Sequence, residues 1–416
     1  MTTDSCTTVN IRAIPEADID QALDLSYLVF HVKASEKARQ HDRDILLGSA
    51  RTGAYDGDRL AGQIAAYPLT LSVPGNRLPC AALDFVSVAA THRRRGLLTS
   101  MFDEVWRGCA DAGQVLSCLW ASESAIYGRY GYAPAGETCQ IEIDSSRPLA
   151  LRIAPDSRPL RLIDPADAPA LAGPLFDAHL AHRAGRVVRD EAWWRTHVLH
   201  LEGDDDDDDD DEGFGPPRVV VLGAPGEPVG GYAVYRTRGP GESPGAVLVR
   251  ELEADGAPAA AALWSYLASI DLTATVRGPF RPADDPLLLL AADRDQVRAT
   301  RREPGLWIRL VDVRAALTAR SWAAPVDLVL DLGDTAVPAN AGRFRLTAGP
   351  DGSSWTPTDE AADLTLDVRE LAACYPGGTR LAHLVYAGLV TEHTPGAARA
   401  LDAALATEWL PATGEY

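Results

Sequence analysis

The stretch Leu83–Met101, LDFVSVAATHRRRGLLTSM, constrains this chain more than any other, because it joins an apolar strand to a helix through a basic turn. Leu83, Phe85, Val86 and Val88 are β-forming side chains. Arg93, Arg94 and Arg95 follow, then Gly96, after which Leu97, Leu98 and Met101 recur at helical spacing. A glycine at that junction lets the backbone approach a ligand closely, and the first amides of a helix have no partners within it. The helix dipole and the neighbouring guanidinium groups add positive potential, so the turn suits a pyrophosphate. A basic turn on an ordinary βα unit has the same short signature, so the string must be weighed with its surroundings.

Those surroundings follow an α/β order. Thr8–Arg12 reads as a strand, and Pro15-Glu16-Ala17-Asp18 opens a helix. The segments 53–55 and 60–73 read as antiparallel strands joined at Asp56-Gly57, a strong hairpin signal. Beyond the basic turn come a helix over 96–108, an apolar strand over 115–121, and Ser122-Glu123-Ser124-Ala125-Ile126-Tyr127-Gly128-Arg129-Tyr130-Gly131-Tyr132. Around Pro155–Pro159 the pattern restarts, since Leu160-Arg161-Leu162-Ile163 before Pro165-Ala166-Asp167 echoes Val9-Asn10-Ile11-Arg12 before Pro15-Glu16-Ala17-Asp18. A second strand–turn–helix runs from Val247 to Ile270, but its turn is Glu253-Ala254-Asp255-Gly256-Ala257-Pro258, with no arginine. A third region of alternating strands and helices begins near Gly305, with Asp331 and Asn340 flanking the turn before Gly342-Arg343-Phe344.

The basic turn resembles the acyl-CoA motif of the GCN5-related N-acetyltransferases, Gln/Arg-x-x-Gly-x-Gly/Ala, with Arg93, Gly96 and Leu98 at its three defined positions. Leu98 departs from the small residue of the general pattern. The longer string THRRRGLL is similar to one branch, the Eis (enhanced intracellular survival) aminoglycoside acetyltransferases. The resemblance implies two GNAT-like domains in tandem, at 1–150 and 151–300, the second degenerate, and a sterol-carrier-protein-like domain at 301–416. It further implies acetyl-CoA as cosubstrate, a cationic amine as acceptor, and homo-oligomers, hexameric as in the family. A non-catalytic protein that responds to acyl-CoA or carries lipid is the competing reading.

Acetyl transfer from a thioester requires a neutral amine, a held oxyanion and a proton for the departing thiolate. By resemblance, Val86, Ser87 and Val88 offer backbone groups to the pantetheine arm and acetyl carbonyl. Arg93, Arg94, Arg95, Gly96, Leu97, Leu98 and Thr99 wrap the pyrophosphate, and Ser122 and Glu123 line its other side. A phenol, with a reference pKa near 10, is protonated at neutral pH. The residues alone do not choose among Tyr127, Tyr130 and Tyr132; the resemblance selects Tyr127 as general acid. It also makes the α-carboxylate of Tyr416, the last residue of the sequence, the general base. Phe30, Asp84, Phe85, Trp120 and Glu415 are the expected acceptor pocket, giving acid and aromatic faces for a cation. Val32 and His31 bring no acid to the end of the first helix.

Composition narrows the classes. The formal net charge is −20, which disfavours a nucleic-acid partner and favours cationic small molecules. Part of that charge is the acidic loop 204–212, Asp204 to Asp211 followed by Glu212, read as a solvated segment. The six cysteines form neither a disulfide framework nor a zinc pattern, and no apolar run approaches a membrane span, so a cytoplasmic protein is expected. His179/His182 and His197/His200 have i,i+3 spacing, yet nothing completes a metal site around them, and no metal is expected.

Overall fold

In a computed structural model of the chain the described residues are 9–199, 213–241 and 243–412, so the acidic loop, Glu415 and Tyr416 lie outside them. The strands in chain order begin with β1 (Asn10–Ala13), β2 (Ala50–Asp56), β3 (Arg59–Val73), β4 (Asn76–Val88), β5 (Leu116–Leu119) and β6 (Ala133–Pro134). Next come β7 (Glu137–Asp144), β8 (Leu160–Ile163), β9 (Arg218–Leu222), β10 (Gly231–Arg238), β11 (Gly245–Ala254), β12 (Thr273–Pro282) and β13 (Val297–Pro304). The chain closes with β14 (Trp307–Leu310), β15 (Val326–Gly333), β16 (Gly342–Gly349), β17 (Gly352–Pro357), β18 (Leu364–Asp367) and β19 (Thr391–Glu392). The first helices are α1 (Ile19–Phe30), α2 (Glu36–Gly48), α3 (Leu97–Asp111) and α4 (Ser124–Tyr127).

Two compact units result, one made of residues 1–135 and 306–407, the other of 136–305 and 408–416. In the first unit a seven-stranded sheet has the order β1-β2-β3-β4-β5-β14-β6, and a five-stranded sheet the order β17-β16-β15-β18-β19. In the second unit the order is β13-β7-β12-β11-β10-β9-β8. These units cut across the linear boundaries expected at 150 and 300. β7, which follows the first domain's last turn in sequence, pairs with β12 and β13 of the second sheet. β14 returns to the first sheet, pairing antiparallel with β5 from Trp307↔Leu119 to Leu310↔Leu116. β7 reads ETCQIEID and β14 reads WIRL; neither pattern names the strand it pairs with, so sequence alone does not choose the partner.

Local chemistry explains the elements that matter. The β2–β3 hairpin turns through Gly57-Asp58, between the paired Asp56 and Arg59 and one residue on from the expected Asp56-Gly57, with Gly57 at φ 64°. α2, which the sequence reading did not identify, is capped by Ser35, whose hydroxyl accepts from the Ala38 amide at 3.1 Å. α3 buries Leu97, Met101, Phe102, Val105, Trp106 and Cys109 as one stripe, leaving its charged residues outside.

Beneath this helix lies a buried ion pair. Arg309 of β14 donates to both oxygens of Asp334 at 2.9 and 2.7 Å, with side-chain exposures of 0% and 1%. Asp334 also accepts from the Ala336 and Val337 amides and from the Asn340 side chain. Asn340 in turn donates to the Val311 carbonyl and accepts from the Val313 amide. Of the two residues flagged beside the third region's turn, Asn340 is thus buried in the network, while Asp331 faces outward and pairs with Arg343 at 3.3 Å. Asp334→Ala strands the Arg309 charge, and removing one member of a buried pair costs about 3–5 kcal/mol. The expected result is a lowered urea midpoint, most of which the double variant Arg309→Met with Asp334→Leu recovers.

Candidate active site

The site begins where two parallel strands part. β4 pairs with β5 only at Cys80↔Leu116, Ala81↔Ser117 and Ala82↔Cys118, although β4 continues to Val88. On its other side, β4 has a bulge against β3: Ala65 pairs with Asp84, but Gln63 pairs with Ser87. Phe85 absorbs the extra residue at φ 52°, a left-handed conformation that a bulky side chain adopts only under tertiary constraint. Ser87 Oγ donates to the Phe85 carbonyl at 3.2 Å and braces the bulge. The backbone of Leu83–Val88 therefore has no strand on its β5 side. That opening suits an extended amide chain such as pantetheine, and Val86, Ser87 and Val88 line it.

Past Val88, Arg94 and Gly96 both take positive φ, 62° and 77°. Neighbouring left-handed residues turn successive amides toward one point, which forms an anion-binding concavity. Gly96 is the N-cap of α3 with no side-chain cap, so the amides behind it stay open. Arg93, Arg94, Arg95 and Thr99 are exposed around the turn, and Leu97 is buried. Leu98 packs against the hydrophobic core, so its departure from the small-residue pattern is absorbed inward. His92 steadies the turn from beneath, its Nε2 lying 3.1 Å from Asp56 Oδ2.

The structure separates the three tyrosines. Tyr132 donates to Ser117 Oγ at 2.6 Å, and Tyr130 shares a 3.2 Å hydrogen bond with Thr99 while stacking on Phe102. Both hydroxyls are thus engaged by structural partners. Tyr127, at the end of α4, instead bonds Ser122 and lies beside Asp84 and Glu123. Burial pushes its pKa up to about 12, the two carboxylates add to the rise, and the Ser122 hydrogen bond opposes it. The loop after Tyr127 is packed tightly. A Cβ at Gly131 would lie 1.7 Å from Arg309 Nη1, and one at Gly128 would lie 2.8 Å from Arg369 Cζ.

Asp84 keeps an exposed side chain, although the surrounding protein partly desolvates its carboxylate. Burial raises its pKa; the hydrogen bond from the Phe85 amide opposes the rise, Asp42 adds to it and His41 lowers it. His41 and Asp42, both on α2, are therefore neighbours that sequence reasoning missed. Asp42 is held by the Tyr27 hydroxyl at 2.7 Å, and its own pKa is raised by burial. The available signal was Ser35 followed by an amphipathic stretch, a helix start that would have carried both residues toward the site. Phe85 is buried, Trp120 is half-buried beyond β5, and Phe30 is exposed at the end of α1. Glu415 and Tyr416 lie outside the described residues.

The second unit repeats the strand–turn–helix with other chemistry. At its turn Asp255 is bound by Arg158 at 3.1 Å, and Glu253 is bound by Arg186 and His179. His197 stacks on Trp193 with centroids 3.8 Å apart, and His200 is outside the described residues. Among the described residues no group of His, Cys, Asp and Glu is arranged to hold a metal ion, and no helix is long and apolar enough to cross a membrane.

Comparison with known proteins agrees with this geometry. Residues 10–135 and 185–320 each match a model described as an acetyltransferase (GNAT) domain, and residues 313–412 match a sterol carrier protein domain. An uncharacterized N-acetyltransferase of Streptomyces avermitilis is 38% identical over 86% of this chain and 88% of its own length. N-acetyltransferase Eis of Mycobacterium tuberculosis is 33% identical over 86% of each. The crystal structure of Eis1 from Mycobacterium abscessus superposes with a TM-score of 0.82 at 31% identity, covering 98% of this chain and all of that one. A GCN5-related N-acetyltransferase from Anabaena variabilis shares the fold at 20% identity, with a TM-score of 0.83.

The protein is thus an N-acetyltransferase built from two tandem GNAT domains and a sterol-carrier-like domain. Within that class, the chain belongs to the Eis family. Arg94→Ala with Arg95→Ala removes two exposed guanidinium groups without touching the core. Charge-assisted contacts contribute about 1.5–3 kcal/mol each, so the KM for acetyl-CoA should rise at least roughly tenfold while the melting temperature holds.

Proposed function

We propose that the enzyme transfers the acetyl group of acetyl-CoA to an amino group of a cationic acceptor: aminoglycoside-like, a polyamine or a lysine side chain. The reading rests above all on the Tyr127 hydroxyl lying beside Asp84, on the stretch of β4 that has parted from β5. The concave turn with its exposed arginines suits the pyrophosphate, and the free edge Val86–Val88 suits the pantetheine amides and the acetyl oxygen. Ser122 and Glu123 line the far side.

In this scheme the acceptor enters as an ammonium, drawn by Asp84 and Asp42, and gives a proton to the base. The neutral nitrogen attacks the thioester carbon, and the oxyanion accepts from backbone amides of the parted β4 stretch. When the C–S bond breaks, Tyr127 gives its proton to the thiolate and is reprotonated by the second proton that the new amide nitrogen loses, so amide, thiol and the one proton on the base are the products. Held near 12, that hydroxyl remains protonated throughout the assay range. For the base we assign the Tyr416 α-carboxylate, and we count Glu415 among the acceptor-pocket residues. The protein works in the cytoplasm as a homo-oligomer, a hexamer by likeness to the family.

Thiol release from acetyl-CoA across aminoglycosides, polyamines and lysine peptides tests the acceptor class; activity restricted to uncharged amines would overturn it. Tyr127→Phe should lower kcat by about 10²–10⁴, the span of a general acid or base, whereas Tyr130→Phe and Tyr132→Phe act mainly on stability. In the wild type, the pH profile of kcat should show no alkaline limb from this phenol near pH 10, the reference value it would otherwise keep. Asp84→Asn and Asp42→Asn should raise the KM for a diamine far more than for a monoamine of equal length.

A further inference from the structure

The turn that follows Tyr127 contains two glycines, and each has its own reason. Gly131 has φ 82°, a left-handed conformation that favours glycine on backbone grounds alone. Gly128 has φ −57° and ψ −34°, right-handed helical values that alanine adopts readily. Glycine is the less stable choice in such a conformation, so backbone geometry does not account for it. What stands in the place of the missing side chain is a guanidinium. A Cβ at Gly128 would meet Arg369 Cζ and Nη1 at 2.8 Å and Nε at 3.1 Å. Three atoms of the fork at nearly one distance mean that its plane lies against the Gly128 backbone.

Arg369 is aimed there by its neighbours. It belongs to the helix Val368–Cys374 of the third region, which is part of the first unit. Asp367, the last residue of β18, caps that helix, its carboxylate accepting from the Arg369 amide at 3.0 Å. Val368 is buried, and its Cγ1 would stand 2.8 Å from a Cβ at Gly131. Two consecutive residues at one helix start thus press on the two glycines of the tyrosine turn. Among the described residues the Arg369 guanidinium takes part in no hydrogen bond or ion pair, so its place on Gly128 is not the by-product of a salt bridge. On the side of α3, Tyr130 stacks on Phe102 with centroids 4.1 Å apart and bonds Thr99 at 3.2 Å.

We infer that Arg369 is a positioning residue for Tyr127, and that the third region takes part in acetyl transfer through it. The inference rests on the reading of Tyr127 as the general acid. Tyr127 directly precedes the residue that Arg369 covers, so the contact fixes the peptide plane from which the phenol is directed. An acid must stay within hydrogen-bond reach of the departing sulfur, and a misplacement of about 1 Å can cost about 10²-fold in rate. Arg369 acts on the turn and not on a reacting atom.

Gly128→Ala is the direct test. Alanine suits the backbone there, so the melting temperature should hold or rise, but its methyl group displaces the guanidinium. In the full-length protein kcat should fall about tenfold, while the KM values for acetyl-CoA and for the acceptor stay within about twofold. Arg369→Ala, a change at an exposed side chain, should give the same fall, and Arg369→Lys, which keeps the stem but not the planar fork, an intermediate one. In a Tyr127→Phe background neither Gly128→Ala nor Arg369→Ala should lower kcat further, because the group being positioned is gone. Unchanged kcat in either variant, with Tyr127→Phe impaired, would overturn the positioning role and keep the acid. An equal fall in both backgrounds would overturn it too, since Arg369 would then act on something other than Tyr127. Full activity of Tyr127→Phe itself would overturn the acid, and this inference with it.

Discussion

One buried guanidinium organises the first unit. Arg309 enters on β14, binds Asp334 with both partners removed from solvent, and lies 4.9 Å from the centroid of the Trp106 ring on α3. Its Nη1 fills the space where any side chain at residue 131 would stand. Three parts of the site thus share one anchor: the helix whose first amides face the phosphate turn, the loop that carries Tyr127, and the third-region turn held by Asp334 and Asn340. A buried pair of this kind contributes little net stability against an apolar substitute, but it penalises every arrangement in which its partners are apart. That penalty suits a site whose groups come from distant stretches of chain.

The cleft has a different origin. Sheets hold together through ladders, and here a single inserted residue ends one. Phe85 takes a costly backbone conformation, β4 bends, and the parallel pairing with β5 stops after Ala82. The break leaves the backbone of Leu83–Val88 outside the β5 ladder. Strain at Phe85 is sustained because its ring is buried in the core beside α1. Asp84, one residue earlier, accepts from the Phe85 amide at 2.6 Å.

The second unit shows what the same topology does without that use. β11 and β12 pair in parallel from Gly245↔Thr273 to Leu248↔Arg277 and then part as well. The parted stretches, however, carry Glu251, Glu253 and Arg281, which bind Arg189, Arg186 and Asp285. Burial works to raise the Glu253 pKa, yet Arg186 and the His179 hydrogen bond hold it down to about 2. Charge compensated so fully by the protein's own side chains leaves none for a phosphate. At the turn itself Asp255 is engaged by Arg158, where the first unit has exposed arginines.

Sequence by itself determined the local parts. The strand, the arginine-rich turn and Gly96 were legible because each rests on neighbours: β-branched residues, a residue free to take positive φ, and the open amides of a helix start. The loss of arginines at the second turn was legible for the same reason. Only the tertiary structure decided which strands pair, which partners the three tyrosines take, and what surrounds Asp84. Neither the alternating pattern of β7 nor the four residues of β14 names a partner strand; pairing with residues far along the chain decides it. Tyr127, Tyr130 and Tyr132 differ little as residues. They are told apart by their partners: Tyr132 bonds Ser117 and Tyr130 bonds Thr99, whereas Tyr127 bonds Ser122 and lies beside Asp84 and Glu123. His41 and Asp42 approach Asp84 only through the packing of α1 and α2 on the first sheet. Contacts between residues far apart in the chain depend on every intervening element, and no window of sequence contains them.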